Sequence, residues 1–393
     1  MADRRFFLLM AFIGGVAILG STMSKTPVLP LFAAQLGATP AEIGWVVIAS
    51  TVPGILVSFL VGVMADTLGK RPMIIGSLVV FATAPFLYLG VSSAVELMTV
   101  RFYHGFATAI FGTVAAAAIA ERYPQQRAAM LSTFSSATLV GRSIAPFLGG
   151  FLISMASFHS VYIACGISGV LALLAGLALP RGRKSASPSA VRAALERPPF
   201  FESLRQVLSN RGIVLTSVLE AAQLLVFGAV EAFLALYAAS VGIMPWQIGV
   251  ILGAQLLGIV VIKPFMGALS DRWGRRTIIL PGLLVGALSV GMMPLAQEML
   301  TLCFLSIVFG VGYAMVTSST SALVADLTRG GKFGASMGVL RTVMDIGQTI
   351  GPVVTGLMVV WFGYGVAFAA LAVVLLSATL IFAVAPQLGR QAV

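Results

Sequence analysis

Eight charged side chains fall inside long apolar stretches of this sequence. Burying an ion in such a stretch costs free energy, so its presence there indicates a functional role. At the centre of a bilayer such a group costs ~2.5–3.5 kcal/mol on insertion scales, and charges of this kind mark the routes of substrates and protons. Five are cations and three are anions: Lys25, Arg101, Arg142, Lys263 and Arg341 against Glu220, Glu231 and Asp345.

The carboxylates are candidates for carrying a proton. Glu220 and Glu231 are 11 residues apart, or three helical turns, so they share one helix face with Gln223 and Phe227. Burial favours the neutral form of a carboxylic acid, which lets it take up and release protons near neutral pH. On this ground Glu231 and Asp345 are the best candidates for the proton carrier, and the sequence prefers neither.

The cations are candidates for binding an anionic group. Arg142 falls near the middle of an apolar stretch, where transporter sites concentrate. Arg101 is either a gate or a residue whose charged end reaches the membrane surface, and His104 is either an interior histidine or a proton relay. Arg341 precedes Asp345 by four residues, so these two can also neutralise each other as a structural pair.

The elements that hold these side chains are membrane-spanning helices. The chain has 393 residues, 59% hydrophobic and 9% charged, with a mean hydropathy of +1.03. Apolar runs of about 20 residues recur, each long enough to cross a hydrocarbon core of roughly 30 Å. Because no ten-residue alternation is present, we expect an all-α membrane protein and not a barrel. The predicted helices, 1 to 12, cover about 6–33, 42–65, 72–93, 95–120, 128–156, 158–179, 212–241, 246–270, 277–296, 298–326, 335–361 and 364–386.

The sequence repeats itself at half its length. GVMADTLGKR at 62–71 returns as GALSDRWGRR at 267–276, an offset of 205, and GRSIAPFLGG at 141–150 faces GQTIGPVVTG at 347–356. Such a repeat indicates two pseudo-symmetric six-helix bundles, 1–180 and 212–393, with the binding site between them. The linker, 181–211, is expected to hold a short surface helix around 199–209. The repeat also places Lys25 opposite Glu231, so we predict that these two side chains pair.

The distribution of the basic residues indicates which loops lie on which side of the membrane. The net charge is +11, and nineteen of the 24 lysines and arginines fall in segments that share one side under this topology. Cytoplasmic loops carry such an excess, so both termini and the linker are expected to be cytoplasmic, in a cell inner (plasma) membrane. This distribution argues against nucleic acid as a partner.

These motifs resemble those of a known family. The two loop motifs, Arg101 to Gly105 in predicted helix 4, and the stretch from Gly141 to Gly150 in predicted helix 5 together resemble the major facilitator superfamily. Within it the chain looks most like the twelve-helix drug/proton antiporters. The resemblance covers essentially the full length and implies the major facilitator fold, with alternating access to a central site.

The resemblance assigns a role to the loop motif. In that family the motif aspartate caps a helix of the other half, here Asp66 against the start of predicted helix 11, near 335–341. We interpret the motif, with nearby acids, as a cytoplasmic latch for the outward-facing state; the alternative is that its cations only set topology. The latch comprises Gly62, Asp66, Gly69, Lys70, Arg71, Glu121, Gly267, Asp271, Arg272, Gly274, Arg275, Arg276, Asp326 and Arg341.

The motif in predicted helix 5 concerns packing and direction. Gly141, Pro146, Gly149 and Gly150 give that helix a nearly flat face, which allows a close seal against its neighbours. The resemblance associates this motif with export.

The function expected is transport and not enzymatic catalysis. We predict proton-coupled export of a small organic or amphipathic compound, and the surplus of buried cations favours an anionic one. Proton-coupled uptake of an anionic metabolite and flipping of a lipid-linked substrate remain alternatives. The expected partners are the small-molecule substrate, protons and the bilayer. The chain is expected to act as a monomer without a cofactor or metal.

Overall fold

The computed structural model describes residues 2–180, 209–328 and 333–385, and all regular structure within them is helical. The surface helix expected around 199–209 falls almost entirely outside these residues. Short 3₁₀ turns lie at Tyr88–Gly90 and Met293–Leu295. The helices are α1 Ala2–Met23, α2 Val28–Gln35, α3 Pro40–Ile48, α4 Val52–Leu68, α5 Lys70–Leu87, α6 Ala94–Arg122, α7 Arg127–Met155, α8 Phe158–Leu177, α9 Arg211–Ser240, α10 Pro245–Trp273, α11 Arg275–Met292, α12 Met299–Leu327 and α13 Phe333–Val384.

Most of these helices have the length and composition of membrane spans. Ten helical segments among the described residues are long and apolar enough to cross a bilayer. The expectation of an all-α, multi-pass membrane protein is confirmed. The twelve predicted helices map onto the observed ones with two differences, because the first and the second predicted helix are each interrupted beside a proline.

The first predicted helix, 6–33, is interrupted. Helix α1 ends at Met23 and α2 begins at Val28, and Lys25 lies in the turn between them. Pro27 precedes α2 and has no amide N–H, so it cannot continue the hydrogen-bond ladder of α1. The candidate cation is therefore held by irregular backbone, which is tolerated at membrane depth only where protein or a water-lined cavity surrounds it.

The second predicted helix, 42–65, is also two helices. Helix α3 begins with a capping box, in which Thr39 and Glu42 each satisfy a backbone N–H of the other. It ends before a turn over residues 49–51, after which Pro53 lies in the first turn of α4. The turn brings Ser50 to the edge of the bundle, where it becomes part of a polar cluster described below.

The last two predicted helices, 335–361 and 364–386, correspond to the two parts of α13, which meet at Gly363. Gly363 is its one residue with non-helical dihedral angles (φ 75°, ψ 175°). A positive φ costs glycine little because it lacks a Cβ atom. This single residue therefore separates two lengths of helix that can each cross a membrane.

The described residues divide into two compact units. The first comprises residues 2–180 with Met244–Gly249, and the second comprises residues 209–243, 250–328 and 333–385. In the first unit α1 packs extensively on α7 and α8, and in the second α9 packs on α13.

Glycines set the close helix approaches in both units. A methyl group at Gly141 would lie 2.3 Å from the carbonyl oxygen of Gly15, and one at Gly347 would lie 2.3 Å from that of Ala221. The positions correspond under the repeat offset of 206, so the same glycine-on-carbonyl crossing is built twice. Small residues at such crossings let backbones approach closely, as in other membrane helices.

Candidate functional site

The second unit buries a polar face of α9. Glu220, Gln223 and Glu231 are all buried, and the ring of Phe227 contacts that of Tyr313 with centroids 4.5 Å apart. All four side chains are therefore buried within the second unit. From Val226 to Ala238 every residue of α9 is buried, so burial there does not distinguish one face of the helix.

Glu220 is the centre of this face. Its side chain is 1% exposed, and one carboxylate oxygen accepts a hydrogen bond of 2.6 Å from the hydroxyl of Thr320 on α12. The other carboxylate oxygen and both polar atoms of Gln223 are buried without a hydrogen-bond partner among the described residues. Lys263 on α10 acts on Glu220 electrostatically. We call Glu220, Gln223 and Thr320 the carboxylate cluster.

Sequence reasoning missed Thr320. It lies in the run TSSTS at 317–321, an unusual concentration of hydroxyls inside an apolar helix. Such residues hydrogen-bond across helices in membranes, so the run could have been recognised as a partner for a buried acid.

The first unit buries a cation instead. Arg101 on α6 is 3% exposed, and its Nη2 donates a hydrogen bond of 2.8 Å to the Ser50 hydroxyl. His104, one turn later, places Nδ1 3.3 Å from the Tyr88 hydroxyl. The rings of Tyr88 and Tyr162 stack with centroids 4.4 Å apart. We call these five residues the arginine cluster.

Two expected cations stay separate from these clusters. Lys25, in the break after α1, and Arg142, on α7, are both half-buried. Because Lys25 and Glu231 belong to different units, their pairing stays a prediction. Lys263 is exposed near the end of α10.

Arg341 and Asp345 lie one turn apart on α13, and both are exposed. The role of Asp345 as a proton carrier stays a prediction. Glu231 remains buried, and Glu220 is more deeply buried than either.

The two loop motifs have the same backbone geometry. Gly69 separates α4 from α5 at φ 94°, ψ 150°, and Gly274 separates α10 from α11 at φ 90°, ψ 145°. This region of dihedral space is essentially restricted to glycine. Gly62 lies within α4 and Gly267 within α10, where a methyl group at Gly267 would meet no described atom within 4 Å.

Each motif forms an ion pair with the acid at the end of the fourth or tenth predicted helix. Lys70 pairs with Glu121 in the first unit. Arg275 pairs with Asp271 and, at 2.9 Å, with Asp326 in the second. The latch role itself stays a prediction. The side chain of Asp66 lies outside the described atoms, and Arg272 is exposed.

The last arginine of each motif, Arg71 or Arg276, contacts backbone carbonyls. Arg71 donates a hydrogen bond of 2.9 Å to the Leu177 carbonyl at the end of α8. Arg276 donates to the carbonyls of Ala383 and Ala385 at the end of α13. Both arginines thus cap the final helix of their own unit, because cations interact favourably with unpaired C-terminal carbonyls.

The motif in predicted helix 5 lies on α7. Gly141, Pro146, Gly149 and Gly150 are buried, and α7 continues through Pro146. Besides the contact of Gly141 with Gly15, a methyl group at Gly149 would lie 3.0 Å from the Val28 side chain. The tightly packed face that the glycines predict is present within the first unit.

Comparisons with known proteins agree on one family. A model described as the Major Facilitator Superfamily matches residues 10–246 and 221–391. The quinolone resistance protein NorA of Staphylococcus aureus is 24% identical over 362 residues, covering 89% of this chain and 91% of that protein. An uncharacterized MFS-type transporter of Methanocaldococcus jannaschii is 24% identical over 339 residues, covering 84% and 86%.

Solved structures show the same fold. The nucleoside transporter NupG superposes with a TM-score of 0.78 at 15% identity, covering 96% of this chain and 98% of that chain. A bacterial homolog of the human lysosomal transporter Spinster, in an inward-facing and unoccupied conformation, superposes with a TM-score of 0.77 at 16% identity, covering 99% and 98%. At these identities the likeness concerns the fold alone.

Proposed function

The chain belongs to the Major Facilitator Superfamily, and on that premise we propose that it exports a small organic or amphipathic compound in exchange for protons. Membership makes it a multi-pass membrane transporter and not an enzyme. Export is supported by its similarity to a quinolone resistance protein, since removing a drug from the cell confers resistance to it. The glycine motif of α7 supports the same direction, because its resemblance to the antiporter motif of this family associates it with export.

The observation that carries the coupling proposal is the carboxylate cluster. Glu220 has one oxygen held by Thr320 and another that is buried with no hydrogen-bond partner in the described part of the chain. An ionised carboxylate buried in this way is costly, whereas a protonated one is neutral and can donate a hydrogen bond. Glu220 is therefore our proposed proton carrier, with Glu231 as the second buried acid of α9.

The cations suggest the chemistry of the cargo. Lys25 and Arg142 are half-buried, in a helix break and beside a glycine crossing. In transporters of this general kind, ligands bind near the bilayer midplane beside irregular backbone. We propose that these two side chains face an anionic or carboxylate-bearing compound. The motif ion pairs would act as the latch, at the cytoplasmic side of an inner (plasma) membrane.

The test uses proteoliposomes with an acidic lumen and a trapped pH dye. An exchanger admits an external compound while luminal protons leave, so the dye should report a rise in luminal pH. Anionic, neutral and cationic compounds, with quinolones among them, would be compared. Glu220→Gln should abolish the response, whereas Glu42→Gln should retain it, because Glu42 is exposed and glutamine also serves in a capping box.

Direction and coupling can be separated in the same assay. A proton-coupled uptake carrier would carry protons inward with the compound and acidify the lumen further. That result would overturn export while leaving the carrier role of Glu220 in place. An unchanged response in Glu220→Gln would overturn the carrier assignment alone.

A further inference from the structure

We propose that the arginine cluster of the first unit is a binding site for a small anion, of the chemistry shared by chloride and a carboxylate group. The site is formed by Arg101, Ser50, Tyr88, His104 and Tyr162. It lies wholly within one unit, and nothing in the proton-carrier proposal requires it.

The first argument is charge. Arg101 is 3% exposed, and its side chain hydrogen-bonds to the neutral hydroxyl of Ser50. Among the side chains that the structure describes, no carboxylate forms an ion pair with it within 4 Å. A guanidinium stays protonated in proteins, so this charge cannot be removed by deprotonation. A buried charge is retained at acceptable cost only when an opposite charge compensates it, which an anion bound here would do.

The second argument is the supply of donors. Three polar atoms of the cluster are buried without a hydrogen-bond partner among the described residues: Arg101 Nε, His104 Nε2 and the Tyr162 hydroxyl. The histidine can donate from Nε2 when its Nδ1 accepts from the Tyr88 hydroxyl at 3.3 Å. Guanidinium, imidazole N–H and phenol are donors suited to an anion, and charge-assisted bonds of this kind are the strong ones.

The stacked tyrosines hold the donors together. Tyr162 stacks on Tyr88, which contacts His104, and both tyrosine hydroxyls lie within electrostatic range of Arg101. The edge of the Phe81 ring packs against His104 with centroids 5.9 Å apart. These rings exclude water from around the cation and strengthen its attraction for an anion.

The third argument comes from the repeat. Gly105 packs on the Ser50 carbonyl, with a methyl group there at 2.3 Å, and Gly310 packs on the Gln255 carbonyl at 2.8 Å. The two crossings correspond under the offset of 205, yet the position of Arg101 is occupied by Ser306 in the second unit. The same backbone crossing therefore forms without a cation, so packing does not explain the arginine.

The experiment measures the thermal unfolding midpoint of the purified full-length protein in detergent at constant ionic strength. Sodium methanesulfonate, whose anion is bulkier, is replaced stepwise by sodium chloride or by sodium acetate. We expect a saturable rise in the midpoint with at least one of the two. A response to chloride identifies a free ion as the occupant, and a response to acetate alone identifies the carboxylate of a larger compound.

Tyr162→Phe is the deciding variant, because it keeps the stacked ring and removes a hydroxyl that has no protein partner in the described structure. Loss of one hydrogen bond to a charged ligand should weaken the apparent affinity about tenfold. Tyr103→Phe, on α6 two residues after Arg101, is the matched control, since its hydroxyl pairs with Thr83 at 2.9 Å instead. The proposal is overturned if neither anion gives a saturable shift, or if Tyr162→Phe responds like the wild type.

Discussion

Replacing Gly141 by alanine tests whether the glycine-on-carbonyl crossing of α1 and α7 sets the stability of the first unit. The added methyl carbon would lie 2.3 Å from the Gly15 carbonyl oxygen, whereas ordinary contact begins at 3.4 Å. The two helices would have to separate by the difference, about 1.1 Å, since the obstructing atom is backbone and cannot rotate away. Overpacking of this kind costs ~1–3 kcal/mol.

The matched control is Gly112→Ala on α6, where a methyl group meets no described atom within 4 Å. Both variants gain the same helix propensity, ~1 kcal/mol, so their difference isolates the steric effect. At about 2–4 °C per kcal/mol for a unit of this size, the two midpoints should differ by about 2–12 °C.

The assay is thermal unfolding in detergent, followed by circular dichroism at the helix signal. Gly141→Ala should unfold below the wild type, and Gly112→Ala at or above it. Equal midpoints for the two variants would refute the reasoning, because the crossing would then tolerate a methyl group without loss.

Three further predictions follow from the motif and the carboxylate cluster. Gly274→Ala should lower the thermal unfolding midpoint, since alanine at φ 90°, ψ 145° costs ~1–3 kcal/mol. The control Gly267→Ala should not lower it, and equal effects of the two variants would mean that the positive φ does not set the stability of the motif. Thr320→Val should slow proton-coupled transport about tenfold, because it removes the hydroxyl that donates to Glu220. Thr320→Ser keeps a hydroxyl and should transport at the normal rate. A normal rate in the valine variant would exclude a role for that hydroxyl. Arg276→Gln should destabilise the end of α13 by ~0.3–1 kcal/mol, measured as faster amide hydrogen exchange there, and unchanged exchange would refute the capping role.

The sequence predicts those parts of this fold that repeat or that carry charge. The 205-residue offset relates Lys70 and Glu121 to Arg275 and Asp326, and the structure joins each pair. Burying a charge costs free energy, so an apolar chain contains few charged residues. Each basic residue therefore has few possible acidic partners, and the repeat spacing is enough to infer which residues pair. Glu220, Gln223 and Glu231 lie at helical spacing on α9, and all three are buried as their polar character in an apolar stretch suggests.

Other features have no comparable signal. The carbonyls that bind Arg71 and Arg276 are present in every residue, so no side chain marks them as partners. Tyr88 and Tyr162 are neutral aromatics among many, and only the fold brings them to Arg101. Proline is equally ambiguous in membrane helices, because one breaks the first predicted span while Pro146 lies inside a continuous helix.

The arginines that cap the final helix of each unit have a consequence for the ancestry of the chain. Arg71 and Arg276 satisfy carbonyls of their own unit, and the motif ion pairs of Lys70 and Arg275 are likewise internal to each unit. A half that contains the partners of its own polar groups could have folded before the gene was duplicated. After duplication the two copies were free to diverge, so that the first unit now buries Arg101 and the second buries Glu220.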